Sequence, residues 1–321
     1  MAYCQQLHKA AGLEITFIKG LPVSYLPQDK TKSYLAANFC MEGAFLNYNG
    51  KVLPAGKLLI SPNNRSFRYG DGCFETMKMI NSRIVLRDYH FERLFSSLKV
   101  LQFDKPKNFT ADILEQQMIE LARKNNHKTL GRIRLMVFRG DGGLYDEDNT
   151  PNYLIQTWEM NAAINALNEN GLVTGIFPDA RKTCDKFSSI KNNNYLSYSM
   201  AALWAKHNKL NDALVLNTYG RIADATIANI FIVKDGIVKT PALTEGCISG
   251  VMRRHLIHCF INDGVPFEES QIATDDIAGA DELFLTNAAY GMRWLKSCGN
   301  NNYTAHIAPE LYKKYITPLS K

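Results

Sequence analysis

Nothing in the 321 residues approaches the unbroken apolar run of about twenty that a bilayer-crossing helix needs. The N-terminus has no continuous apolar core like that of a secretory signal, so a cytoplasmic protein is expected. The seven cysteines contain neither a close CxxC pair nor a metal-ligand spacing, which argues against a zinc site and for reduced thiols. Charge of one sign is also scarce: 37 basic against 31 acidic residues give a net +6, and the basic ones are dispersed. A protein that tracks a phosphate backbone needs them gathered, so no nucleic-acid partner is expected. No internal repeat or low-complexity tract appears. What remains is an ordinary soluble composition, 46% hydrophobic and 21% charged, in a chain long enough for two domains with real cores.

Residues 1–40 lack a strand and helix rhythm and read as an N-terminal extension of undefined role, or as the product of a start placed upstream of Met41. From there a hairpin is expected over 45–52 and a strand over 83–86. A helix over 89–103 would begin after Asp88 as N-cap, and a second helix would begin after Thr110 with Leu114, Met118 and Leu121 inward. Strands over 132–138 and 152–158 complete a first α/β domain, residues 41–160. The polar stretch 161–170 is the expected linker. A second domain, 171–321, should open with a strand over 172–177, a helix over 195–207 and a strand over 213–216. The Asp235-Gly236 pair between β-branched runs predicts a hairpin, and the spacing of apolar residues predicts a helix over 251–261.

One lysine stands apart. Lys191 lies in Ser188-Ser189-Ile190-Lys191-Asn192-Asn193-Asn194-Tyr195-Leu196, and about thirty residues later comes Asp224-Ala225-Thr226-Ile227-Ala228-Asn229. A lysine becomes a Schiff-base residue when desolvation or cationic neighbours lower its pKa and free its amine to attack a carbonyl; pyridoxal phosphate is the common aldehyde partner. Farther on, Ser249-Gly250-Val251-Met252-Arg253 leads into the expected helix, whose start would offer free N–H groups and a positive dipole end to an anion. Arg132 and Arg134 alternate on an expected strand and so share a face. Taken singly, these are a surface lysine, a turn aspartate, a glycine junction and surface arginines.

Four blocks in order give the pattern weight: Asn64-Arg65-Ser66-Phe67-Arg68-Tyr69-Gly70-Asp71-Gly72-Cys73-Phe74-Glu75-Thr76, His90-Phe91-Glu92-Arg93-Leu94, the lysine block, and residues 220–253. Over about 41–295 the chain resembles the fold-type IV pyridoxal-phosphate enzymes, or class IV aminotransferases, which include branched-chain and D-amino acid aminotransferases and aminodeoxychorismate lyases. The resemblance implies an α/β (α+β) fold of two domains, a small N-terminal α/β domain and a larger C-terminal one, with pyridoxal 5′-phosphate as cofactor and a homodimer as assembly. It implies that Lys191 is both cofactor anchor and general base. Arg93, the backbone amides of Val251 and Met252, and Asn287 next to Thr286 would hold the phosphate. Tyr195 would donate to the ring's phenolic oxygen. Asp224 would stand at the ring nitrogen, where the family usually has the longer Glu, and Asn229 would fix the loop. Tyr69 and Arg134 would meet the substrate carboxylate.

The implied reaction is transamination between an amino acid and a 2-keto acid. The alternative is a lyase of the aminodeoxychorismate type, releasing pyruvate with the same lysine and ring; residues 70–74, 139–143 and 286–288 lean that way. A binding protein that kept the fold and lost turnover is a third reading, resting on Asp224 alone.

Overall fold

A computed structural model of the chain describes residues 43–58 and 60–320. The expected extension over residues 1–40 and the alternative start at Met41 lie outside the described residues.

Among the described residues, the first of two sheets has six strands: β1 (Phe45–Tyr48), β2 (Lys51–Pro54), β3 (Gly72–Ile80), β4 (Arg83–Ile84), β5 (Leu130–Phe138) and β6 (Asn152–Glu159). Their order is β2-β1-β6-β5-β3-β4, with every neighbouring pair antiparallel. The β1–β2 hairpin turns on Asn49 and Gly50, both at positive φ (51° and 85°), the backbone a two-residue turn demands. Along β3 and β5 side chains alternate between faces. Met77, Met79, Ile133, Leu135 and Val137 join a buried core with Phe91, Leu94 and Leu98 of α2 (Arg87–Val100) and Leu114, Met118 and Leu121 of α3 (Ala111–Lys124). The opposite face carries Phe74, Thr76, Arg132 and Arg134, with Thr76 paired in register with Arg134.

Helix α3 starts as expected, with the Thr110 hydroxyl accepting from the Ile113 N–H. Helix α2 does not. It begins at Arg87, because Leu86 turns the chain in a left-handed conformation (φ 56°) and Asp88 falls inside the first turn, bonded to Arg87. The same turn ends the preceding strand at Ile84 rather than at residue 86.

The second sheet has nine strands. They are β7 (Leu172–Lys182), β8 (Asp212–Asn217), β9 (Ile222–Ala225), β10 (Asn229–Lys234), β11 (Ile237–Pro241), β12 (Phe267–Ser270), β13 (Glu282–Asn287), β14 (Gly291–Cys298) and β15 (Asn301–Asn302). The order is β12-β11-β10-β13-β14-β7-β8-β9, with β15 on β14. It is mixed: β7 runs parallel to both β14 and β8, and β11 parallel to β12. The β10–β11 hairpin closes over Asp235 and Gly236 with Lys234 facing Ile237. Helix α4 (Leu196–His207) packs Tyr198, Ala201 and Ala205 against β7 and β8. Helix α5 (Val251–Asp263) buries Met252, Leu256 and Phe260 with Phe231 and Phe284, whose rings stack 5.0 Å apart. No helix among the described residues is long and apolar enough to cross a membrane.

Candidate active site

Lys191 is held by backbone pairing with β3. The Phe74 N–H donates to the Lys191 carbonyl (2.9 Å) and the Asn193 N–H to the Gly72 carbonyl (3.0 Å). Gly72 makes this approach feasible, since at φ 140° a Cβ there would lie 2.4 Å from the Val137 carbonyl oxygen and 2.6 Å from Asn193 Nδ2. The lysine amine is 3.3 Å from Tyr195 Oη and 4.5 Å from the Phe74 ring centre. Burial first, then the charges of Arg93 and Arg134, pull its pKa down to about 7, with Glu75 and Asp224 opposing.

A cavity of about 490 Å³ opens over this amine, and it gathers Arg93, Arg134, Lys191, Tyr195, Asp224, Val251, Met252 and Asn287. Tyr69 is not among its lining residues. It ends α1 (Arg65–Tyr69), is 40% exposed, and lies beside the Arg68 guanidinium.

One end of the cavity is built for an anion. Gly250 precedes α5 and offers no side-chain cap, so the first amides of a 13-residue helix are left to the cavity. Gly250 is required there by space: a Cβ would meet Asn229 Oδ1 at 1.8 Å. Arg93 fixes this end from α2. Its fork binds both oxygens of Glu75 (2.7 and 2.5 Å), and its third contact is the Ser249 carbonyl at 2.9 Å. Glu75 is 2% exposed, yet its carboxyl is held down to about 2: burial pushes it up, and Arg93 and His90 outweigh that. The ionised carboxylate can only accept, so His90 Nδ1, 2.6 Å away, is the donor; burial keeps that imidazole neutral. Thr286 lines the same end, and its buried hydroxyl has no partner. Asn287 is differently engaged. Its carbonyl oxygen accepts from the Ala289 and Tyr290 N–H groups and its amide donates to the Ile227 carbonyl.

At the other end, Asp224 is 2% exposed and accepts from four groups: Lys182 Nζ (3.1 Å), Tyr198 Oη (2.8 Å) and the Ile248 N–H (2.9 Å) at Oδ2, and Asn229 Nδ2 (2.9 Å) at Oδ1. Asn229 Nδ2 also donates to the Ile248 carbonyl at 2.8 Å. Tyr195 stacks near Tyr198 (4.4 Å between ring centres), and burial raises its phenol pKa, so it stays a hydroxyl. On the sheet wall Arg134 lies over Phe74 (3.9 Å) and Arg132 over Trp158 (4.4 Å). Both line the cavity, and among the described residues neither is ion-paired.

The class IV amino-transferase family model matches residues 72–298, which takes in every cavity residue named above. The chain belongs to this family. Among relatives of known name, it is 28% identical over 232 residues to the aminodeoxychorismate lyase of Vibrio harveyi (71% of this chain, 83% of the lyase). It is 26% identical over 254 residues to the branched-chain-amino-acid aminotransferase of Pseudomonas aeruginosa (75% and 80%). In fold it is similar to the branched-chain aminotransferase of the thermophilic archaeon Thermoproteus uzoniensis, solved with norvaline: TM-score 0.77, 23% identity, 87% of this chain and 95% of that one.

Several residues around the site escape motif reading. Glu75 stands in a quoted block, but its pairing with Arg93 and His90 needs the strand–helix packing to be seen. Lys182 and Tyr198 reach Asp224 across 42 and 26 residues of sequence. Thr286, named in the sequence only as the neighbour of Asn287, is the one of the two whose hydroxyl is without a partner.

Proposed function

We propose that the protein is a pyridoxal-phosphate-dependent aminotransferase, moving an amino group between an amino acid and a 2-keto acid through Lys191. The observation that carries this reading is a buried lysine amine inside a cavity with an anion-ready helix start at one end and an anchored carboxylate at the other, where burial and Arg93 draw its pKa down. The residues present fit the cofactor. The α5 amides, the orphaned Thr286 hydroxyl and the remaining Arg93 N–H groups suit a phosphate, Asp224 suits a protonated ring nitrogen, and the Tyr195 hydroxyl suits a phenolate.

When bound, the cofactor supplies an aldehyde to capture amines and a ring that draws electrons from the substrate's Cα. Lys191 supplies the amine that holds the aldehyde. Near neutral pH a useful fraction of that amine is free to take a proton from Cα and return it, as a general base needs. The Tyr195 oxygen accepts from the Lys191 amine at 3.3 Å and steadies it. Asp224 keeps its negative charge fixed through four donors, so it needs no reorganisation in a turnover. Arg134 and Arg132 offer guanidinium groups to substrate carboxylates.

That pair of arginines, neither ion-paired among the described residues, also favours a second reading, a lyase acting on aminodeoxychorismate as the name of the Vibrio harveyi relative has it. Absorbance titration of the purified, cofactor-loaded protein with L-amino acids, D-amino acids and a keto acid separates the two. Reversible conversion to the amine form of the cofactor, undone by keto acid, supports the transaminase; a visible band that no amino acid shifts, with pyruvate released from aminodeoxychorismate, supports the lyase. No visible band at all would remove both.

The assembly we propose is a homodimer, because Leu196, Met200 and Leu203 repeat along one face of α4 and are 69%, 45% and 59% exposed. We also propose a cytoplasmic location, no nucleic-acid partner, and a division into domains at residues 161–170.

A further inference from the structure

Lys182 has no place in the roles above, and it does not line the cavity. It ends β7 and puts its ammonium 3.1 Å from Asp224 Oδ2, with the two side chains only 10% and 3% exposed. Its other contacts are the Ser188 carbonyl at 3.4 Å and the Tyr198 ring at 5.0 Å. Asp224 does not need Lys182 as a donor. The Tyr198 hydroxyl and the Ile248 N–H already serve Oδ2, and Oδ1, which accepts only from Asn229, keeps spare lone-pair capacity. What Lys182 adds is charge. A cation this close, with little water between, lowers the negative potential that the carboxylate presents to anything else. The titratable groups around Asp224 are Lys182 from β7, Tyr198 from α4, Tyr195 just before that helix, and Lys191 and Cys247 from loops; of these, Lys182 alone is ion-paired with it.

Resting on the proposed pyridoxal-phosphate reading, we propose that Lys182 is a positioning residue that sets the proton affinity of the cofactor's ring nitrogen by sharing the charge of Asp224. With Lys182 in place the ring nitrogen is less basic, and the ring a more moderate electron acceptor, than a lone carboxylate would make it. The shorter aspartate belongs to the same arrangement, since it holds the carboxylate within reach of β7.

The test uses cofactor labelled with ¹⁵N in the ring, bound to the wild type and to Lys182→Met, Lys182→Gln and Lys182→Arg. The ¹⁵N shift is followed against pH, and cofactor affinity and melting temperature are measured in parallel. In the Met and Gln variants, the pH at which the ring nitrogen releases its proton should rise by roughly one unit or more, the scale of one partly screened charge acting across a carboxylate. Arg should restore it. If Met does not fold, Gln, which keeps a donor without the charge, carries the comparison. Titrations superimposable on wild type, with only affinity or melting temperature reduced, would make Lys182 purely structural and overturn the proposal, as would a wild-type ring nitrogen that keeps its proton throughout. A wild type that takes up no cofactor would instead overturn the pyridoxal reading itself.

Discussion

Replacing Lys191 with methionine should stabilise the cofactor-free protein while it abolishes the colour of the cofactor-loaded one. Folding moves the lysine pKa from 10.5 to about 7, chiefly through burial. At about 1.36 kcal/mol per unit, those roughly 3.5 units correspond to almost 5 kcal/mol against folding, which contact with cavity water reduces to about 3. Between pH 7 and 10.5 the unfolded chain binds the proton that the folded chain has lost, so this cost is full below pH 7 and fades as pH rises to 10.5. Methionine has no such cost and fills similar space beside the Phe74 ring. At pH 6 the cofactor-free variant should therefore melt about 6 °C or more above the wild type, with the gap narrowing by pH 10. Scanning calorimetry of both cofactor-free proteins across that range reads the effect. A variant that melts at or below the wild type at pH 6, or a gap independent of pH, would refute the argument that this amine is held neutral by its surroundings.

Thr286→Val removes a buried hydroxyl that has no partner, so the cofactor-free melting temperature should not fall, while affinity for pyridoxal phosphate should drop roughly tenfold; a fluorescence titration measures it. Asp224→Asn should retain cofactor but lose about a hundredfold or more in kcat, and wild-type turnover would take Asp224 out of the chemistry. Arg134→Met should raise KM for carboxylate substrates about tenfold or more and leave cofactor affinity unchanged, and steady-state kinetics with a parallel cofactor titration separates the two.

Local chemistry made much of this molecule legible in its sequence. Thr110 caps α3 with its own hydroxyl, and Asp235-Gly236 closes the β10–β11 hairpin through positive φ values, so both signals act within a few residues. Helix α2 starts two residues ahead of its expected position because a leucine in a left-handed turn carries no compositional mark. At the site, Lys191 and Asp224 lie in motifs, but their electrostatics come from partners far along the chain: Arg93 and Arg134 for the lysine, Lys182 and Tyr198 for the aspartate. Asn287 and Thr286 show the finer limit. Neighbours on a strand end, one spends its side chain on its own turn and the other keeps an unbonded hydroxyl at the cavity lining. Tyr69 stands in a quoted block yet lies outside the cavity lining, because it ends a short helix that precedes β3.

The Asn229 amide joins the Asp224 carboxylate to the Ile248 carbonyl, the Ile248 N–H returns to Asp224, and Gly250 lies against the same asparagine. The carboxylate at one end of the cavity and the helix start at the other are thus two jaws of one calliper, set by a single side chain. Such a device gauges length as well as charge. A ligand must carry its cationic and anionic groups at the fixed span, and a pyridoxal without its phosphate, or with a longer arm, can close on only one jaw.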